Sequence, residues 1–114
     1  MKRNPKIRLN KALVMQWVLE QRVYGKQPTK ELLFIPIIYK IPHWSIFMHE
    51  PKYIYQNRIM VRFPQGGMCC LRLRGKAPLH KEFTLEEFIN SFYMIKDEKT
   101  NTPYFKYYKS NSNL

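Results

Sequence analysis

Apolar and polar residues alternate along residues 53–63 and again along residues 67–74. This period of two is typical of half-buried β-strands. The linker between the segments has the chemistry of a hairpin loop, because the fixed φ of Pro64 suits the second position of a type I turn and Gly66 can adopt the left-handed conformation that follows it. We therefore expect an antiparallel β-hairpin over about residues 53–63 and 67–74.

The loop also sets the hairpin register, because it pairs Phe63 with Gly67. One face then becomes wholly apolar, whereas a slip by one residue would place Ile59 beside Arg72 and mix core with charge. The polar face carries all four arginines of residues 58–75, a stretch without any acidic residue. The predicted cross-strand pairs are Val61 with Cys69, Ile59 with Leu71, Arg62 with Met68, Arg58 with Arg72, and Gln56 with Arg74.

Two other segments repeat their apolar residues with the period of a helix. The first, about residues 11–24, can begin at an Asn10 cap and end at Gly25. The second, about residues 85–95, follows a T-x-x-E capping box formed by Thr84 and Glu87. The apolar stripe of this second helix consists of Leu85, Phe88, Ile89, Phe92 and Ile95.

The segment 26–57 is rich in β-forming residues but is interrupted by prolines. A proline inside a strand removes a donor from the hydrogen-bond ladder, so Pro36 indicates an edge strand or a bulge. We expect short strands or extended segments here, packed over the core.

Together these elements predict an α+β fold, in which a small antiparallel sheet built on the basic hairpin is covered by the two amphipathic helices. A chain of 114 residues is long enough for one modest core. The expected organisation is a basic N-terminal arm at residues 1–10, a single α+β domain at residues 11–99, and an aromatic and basic C-terminal tail at residues 100–114.

The charge is far from balanced. The chain has 20 Lys and Arg against 8 Asp and Glu, which gives a net charge of +12 and a pI near 9.9. Such an excess points to a polyanionic partner, with nucleic acid ranked before an anionic membrane surface. The longest apolar run, residues 32–39, is well below the roughly 20 residues of a transmembrane helix. No apolar region follows the basic start as it would in a secretory signal.

The hairpin arginines are the first candidate contacts for that partner. Arginine binds phosphate oxygens bidentately, and like charges directly opposite on a sheet destabilise it unless something offsets them. The alternative is a solvated face, whose arginine stems cover apolar surface or whose charges meet Glu82, Glu86 or Glu87. The predicted phosphate contacts are Arg58, Arg62, Arg72 and Arg74.

The two ends of the chain supply the second group of candidates. Tyrosines interleaved with lysines suit base stacking on single-stranded nucleic acid, although such residues are also typical of protein interfaces. The acid-free start loosely fits an organellar transit peptide, but it lacks serine and contains Pro5, so a basic arm is the favoured interpretation. The candidates are Lys2, Arg3, Lys6 and Arg8 in the arm, and Tyr104, Tyr107 and Tyr108 in the tail.

The sequence offers little catalytic or metal-binding chemistry. Cys69 and Cys70 are adjacent, a spacing that suits neither a disulfide nor a zinc site, and the three histidines show no ligand spacing. We therefore expect no metal, no cofactor and no catalytic residues. Reduced cysteines indicate an intracellular, reducing compartment, either the cytoplasm or the mitochondrial matrix.

Three functional hypotheses follow. The first is a non-catalytic, RNA-binding structural component of a ribonucleoprotein such as a ribosome, in contact with neighbouring proteins. The second is an accessory subunit of a larger assembly, such as an organellar membrane complex, without RNA contact. The third is a small basic ribonuclease or toxin that would use His80, Arg72, Arg74 or a tail tyrosine on the scissile phosphate.

Overall fold

Strands dominate the computed structural model, which describes residues 5–21, 31–47, 49–64 and 66–108. Within these residues, seven strands form two antiparallel sheets, and two short helices accompany them. The α+β class is therefore confirmed. The elements are β1 (Ile7–Arg8), α1 (Lys11–Glu20), β2 (Leu33–His43), β3 (Lys52–Arg62), β4 (Met68–Arg72), β5 (Phe83–Thr84), α2 (Leu85–Ser91), β6 (Phe92–Lys96) and β7 (Pro103–Tyr107).

The larger sheet has the strand order β4-β3-β2-β5. The hairpin loop closes as its sequence predicts: the Phe63 N–H donates to the Gly67 carbonyl over 2.8 Å, and Gly66 has a φ of +99°. The β3–β4 pairs include Val61 with Cys69, Ile59 with Leu71, Arg62 with Met68, and Arg58 with Arg72, each of which the alternation predicts.

The segment before this hairpin forms a longer strand than expected. β2 pairs with β3 over eleven consecutive residues, whereas β5 pairs only with its first two, Leu33 and Phe34. Pro36 lies just beyond, and its carbonyl accepts from the His80 N–H at 2.8 Å on the side away from β3. The ring nitrogen of Pro36 therefore faces the open edge of the sheet. Because no strand of the described residues pairs with β2 on that side at this point, the N–H that proline lacks removes no hydrogen bond between strands.

The smaller sheet has the order β1-β6-β7 and corrects two predictions. The second helix was expected over residues 85–95 but ends at Ser91, because Phe92 turns to extended backbone and begins β6. Residues 103–107, expected within a C-terminal tail, form β7, and the buried Phe105 lies in it. Inter-strand pairing outweighs the helical stripe at residues 92–95 and orders this part of the tail.

The first helix also differs at its end. Asn10 caps it as predicted, accepting from the Leu13 N–H at 2.8 Å. The helix ends at Glu20, and Gln21 is extended. The rest of the predicted helix, residues 22–24, and its proposed stop at Gly25 lie outside the described residues.

A single cluster of buried apolar side chains joins both sheets and both helices. Leu73 forms an isolated bridge with Phe105, so β4 and β7 meet where the two sheets approach each other. None of the helices in the described part of the chain is long and apolar enough to cross a membrane. The fully buried aromatic members of the cluster are Phe34, Phe63, Phe83, Phe88, Phe92 and Phe105.

The capping box at the start of α2 generates a stability prediction. The Glu87 N–H donates to Thr84 Oγ1 at 3.2 Å, and the Thr84 N–H donates to Glu87 Oε1 at 3.0 Å. We expect Thr84→Ala to lower the free energy of unfolding by about 1 kcal/mol, and Thr84→Ser to lower it much less. Urea denaturation at neutral pH measures both values, and equal losses in the two variants would contradict a hydroxyl cap.

The same pair fixes the direction of a pH dependence. The hydrogen bonds from Thr84 lower the pKa of Glu87. A carboxylate with a lowered folded-state pKa stabilises the fold above its unfolded-state pKa, and this contribution disappears as the pH falls through the folded-state value. The difference in stability between wild type and Glu87→Gln should therefore shrink in acid. A difference that grows on acidification would contradict the assignment.

Candidate nucleic-acid interface

Arg58 and Arg72 lie opposite each other on β3 and β4, on the face that points away from the core. Arg58 Nε donates to Gln56 Oε1 at 3.2 Å, Nη2 donates to the same oxygen, and the guanidinium lies 5.8 Å from the Tyr39 ring centroid. Within the described residues neither arginine forms a salt bridge. The like-charged pair that the register predicts is therefore present and has no acidic partner in this part of the chain.

The other two hairpin arginines do meet acids. Arg62 Nη2 lies 3.0 Å from Glu82 Oε2, one of the carboxylates that the solvated-face alternative names. Both side chains are about half exposed, so this ion pair contributes little to stability. Arg74 Nη2 lies 3.9 Å from Asp97 Oδ2.

Arg74 does not belong to the hairpin face, and the prediction that it pairs with Gln56 is wrong. The β3–β4 ladder ends at the Arg58 and Arg72 pair. Beyond it, the Arg74 N–H donates to the Phe105 carbonyl at 3.0 Å, because the chain has crossed to the smaller sheet. The four arginines therefore divide between two surfaces.

Apolar side chains separate the arginines that stay on the hairpin face. The register places Ile35, Met60 and Cys70 in one row between the Arg62 row and the Arg58 row. Met60 and Cys70 are partly exposed, and Ile35 is buried. The outer face of the larger sheet is thus a mixed apolar and basic surface.

The outer face of the smaller sheet is more uniformly basic. Arg8, Tyr93 and Lys106 are directly opposite one another on β1, β6 and β7. The neighbouring row contains the fully buried Met94 and Phe105 on the core side, so these three side chains point outward. This row brings together the N-terminal arm and the predicted tail.

Further cations and aromatic rings surround this row. Lys6 Nζ lies 4.9 Å from the ring centroid of Tyr93, and the Tyr93 and Tyr108 centroids are 4.8 Å apart. The Arg74 guanidinium lies 4.2 Å from the Tyr104 centroid. We call this surface the basic–aromatic face; it consists of Lys6, Arg8, Arg74, Tyr93, Tyr104, Lys106 and Tyr108.

The structure thus collects five of the predicted contacts and adds two that the sequence interpretation missed, Tyr93 and Lys106. Lys106 was visible in the alternation of the tail, but Tyr93 was hidden within the predicted helical stripe. Tyr107 faces the other way: its ring packs 5.2 Å from Phe92 and 6.2 Å from Phe83. Tyr107 therefore lies outside this outward row, and its role in base stacking stays a prediction. Lys2 and Arg3 lie outside the described residues.

The electrostatics of the basic–aromatic face favour anions. Four of its seven residues are cations, and Asp97 is the acid found within salt-bridge range of them among the described residues. The Asp97 contact at 3.9 Å is long, so it leaves most of the Arg74 donor capacity unused. A cation held against a tyrosine ring keeps its charge. Because its side chain is already ordered, it loses less entropy when an anion binds than a mobile side chain would.

A cleft of about 940 Å³ beside the start of both helices has a different character. Its rim carries two carboxylates, Glu31 and Glu86, and two cations, Lys11 and Arg62. Mixed charge of this kind gives no preference for a polyanion. Among the described residues, no three His, Cys, Asp or Glu side chains are grouped so that they could hold a metal ion.

No protein-family model matches the chain, and neither a curated protein nor a solved structure is significantly similar to it.

Cys69 and Cys70 are both free thiols but differ in exposure. Cys69 is buried, and burial together with the neighbouring Cys70 raises its pKa to about 12. Burial also raises the pKa of Cys70, although the Arg58 charge opposes that shift. Because the thiolate is the reactive form, both residues should react slowly at neutral pH.

We expect a thiol reagent to modify the native protein in two separate phases. Cys70 should react first, and Cys69 should react only as fast as the protein opens, because its sulfur is inside the core. Cys70→Ser should abolish the first phase and leave the second unchanged. Mass spectrometry of reagent-treated protein counts the modified thiols, and equal rates at both positions would contradict the burial of Cys69.

Proposed function

We propose that the protein is an RNA-binding structural component of a ribonucleoprotein and that the basic–aromatic face is its principal RNA contact. The observation that carries the proposal is the meeting of Arg8, Tyr93 and Lys106 in one outward row of the smaller sheet. Lys6 and Arg74, held over neighbouring rings, extend the same surface. Cations on several separate chain segments meet here only because the fold brings them together.

The chemistry suits an RNA backbone better than a base-specific site. Arginine and lysine bind phosphate oxygens, and neutralising phosphates releases the counterions of the nucleic acid. Tyr93 is 7% exposed and Tyr104 is partly buried, so the rings mainly position the cations above them. Tyr108 is the more exposed ring, and a base stacked on it would contribute roughly 1–3 kcal/mol.

The Arg58 and Arg72 pair provides a second, smaller contact in this proposal. Two guanidinium groups directly opposite each other repel, and a phosphate between them would offset that repulsion. Arg62 contributes less, because Glu82 already occupies part of its donor capacity. The two surfaces together would hold one protein against two segments of a folded RNA.

A salt titration of RNA binding tests the proposal. The probe is a structured RNA with single-stranded loops, and the face variant is Lys6/Arg8/Arg74/Lys106→Gln. Each lost phosphate contact should flatten the slope of log K against log salt by roughly 0.7–0.9. We expect the face variant to lose two to four contacts, and Arg58/Arg72→Gln to lose at most two.

The matched control removes the same amount of charge elsewhere. The variant Lys11/Lys81/Lys96/Lys99→Gln also loses four positive charges, and we expect it to keep a slope close to that of wild type. Circular dichroism verifies that each variant is folded. If the face variant and the control bind alike, or if no protein binds RNA at micromolar concentration, the accessory-subunit hypothesis replaces this one.

A further inference from the structure

The outer halves of β2 and β3 form a two-stranded ribbon that extends past the rest of the sheet. The β3–β4 pairs end at Arg58, whereas the β2–β3 pairs continue from Ile38 with Asn57 to His43 with Lys52. Among the described residues, eleven large apolar side chains are exposed, and eight of them lie between residues 38 and 55. Such a concentration marks a contact surface.

The two most exposed of these side chains, Ile46 and Phe47, are at the ribbon tip together with Trp44. Trp44, Ile46 and Phe47 are 62%, 92% and 88% exposed. They lie in the connection between the two strands, at the greatest distance along the ribbon from the core. A tryptophan, an isoleucine and a phenylalanine presented to water serve no purpose in the packing of this domain, so they indicate a ligand for the tip.

The β2 edge of the ribbon is an unsuitable contact for another strand. Pro36 presents its ring nitrogen to the open edge, and Pro42, six positions further, presents its nitrogen to the same side. Lys40 lies between them on that edge. Prolines and lysines at an edge oppose the addition of a further strand. Strand addition at this edge is therefore disfavoured, and the exposed side chains of the tip are the more prominent contact.

Cations and tyrosines follow the tip along the ribbon. Lys52 pairs with His43, and Lys40 Nζ lies 3.9 Å from the ring centroid of Tyr53. Glu50 is the acid of this region, and it is exposed. Behind the apolar tip, ammonium groups on long stems thus alternate with amphipathic rings along the ribbon. Both kinds of side chain are typical of the headgroup region of a bilayer.

We propose that the ribbon tip docks the protein on an anionic membrane surface. Trp44, Ile46 and Phe47 enter the boundary between headgroups and acyl chains, and Lys40 and Lys52 lie among the anionic headgroups. Only the tip side chains need to leave water, so the open edges of the ribbon keep their hydration. The chain's charge of +12 complements such a surface, and each cation near it gives roughly a fivefold gain in affinity.

The tip contains its own fluorescent probe. The chain has two tryptophans, Trp17 in α1 and Trp44 at the tip, so Trp17→Phe leaves Trp44 as the only one. We expect its emission to shift to shorter wavelength with vesicles of phosphatidylcholine containing about one-third phosphatidylglycerol. Pure phosphatidylcholine should give little shift. If Trp17→Phe does not fold, the difference between wild-type and Trp44→Phe spectra reports the same change.

Two pairs of variants separate insertion from simple charge attraction. The tip variant Ile46→Ser/Phe47→Ser should bind vesicles tenfold or more weakly than wild type does. Leu19 is also an exposed apolar residue, but it lies on α1, away from the tip, so Leu19→Ser should bind as wild type does. Lys40→Gln/Lys52→Gln should weaken binding more than Lys11→Gln/Lys99→Gln. Vesicle sedimentation measures each affinity.

The outcomes are distinct. The proposal is supported if Ile46→Ser/Phe47→Ser abolishes the shift in Trp44 emission and Lys6/Arg8/Arg74/Lys106→Gln retains it. This result supports the proposal whether or not the protein binds RNA. Binding without a Trp44 shift means that charge alone attracts the protein, and it overturns the proposal. The absence of any vesicle binding also overturns it and assigns the tip to a partner protein.

Discussion

The packing of Phe88 is the interaction on which the rest of the structure depends. The centroid of its ring lies 4.3 Å from the ring centroid of Phe34 in β2 and 4.7 Å from that of Phe92 at the start of β6. The ring centroid of Phe105 in β7 is 5.6 Å away. One side chain of a two-turn helix thus contacts both sheets. Because this cluster fixes which side of each sheet is inward, it also determines which cations point outward.

Local signals made part of this arrangement predictable. The hairpin register, the Asn10 cap and the Thr84 capping box each depend on neighbouring residues, and each is visible in the sequence. The strand Phe92–Lys96 was missed because its apolar residues continue the period of the preceding helix. Its identity depends on pairing with Ile7–Arg8 and with Pro103–Tyr107, which are distant in sequence. For the same reason, the sequence did not show that Tyr93 lies on the outer face of a sheet.

The positions of the acidic residues explain why the basic–aromatic face of the smaller sheet is more positive than the outer face of the larger sheet. Three of the eight acids, Glu82, Glu86 and Glu87, cluster around the start of α2. Glu82 meets Arg62, and Glu87 is engaged by the helix cap. The outer side of the smaller sheet has Asp97 near Arg74, at a distance that only weakly offsets the charge. Total charge therefore indicates less about binding than the positions of a few carboxylates.

The two prolines of β2 also constrain how the ribbon can change in length. Pro36 and Pro42 are an even number of positions apart, so both nitrogens face the open edge. Inserting or deleting one residue between them would turn one proline toward β3 and exchange the faces of all side chains beyond it. The ribbon can therefore lengthen or shorten only by two residues in both strands at once. The length of the ribbon therefore changes in steps of about 7 Å.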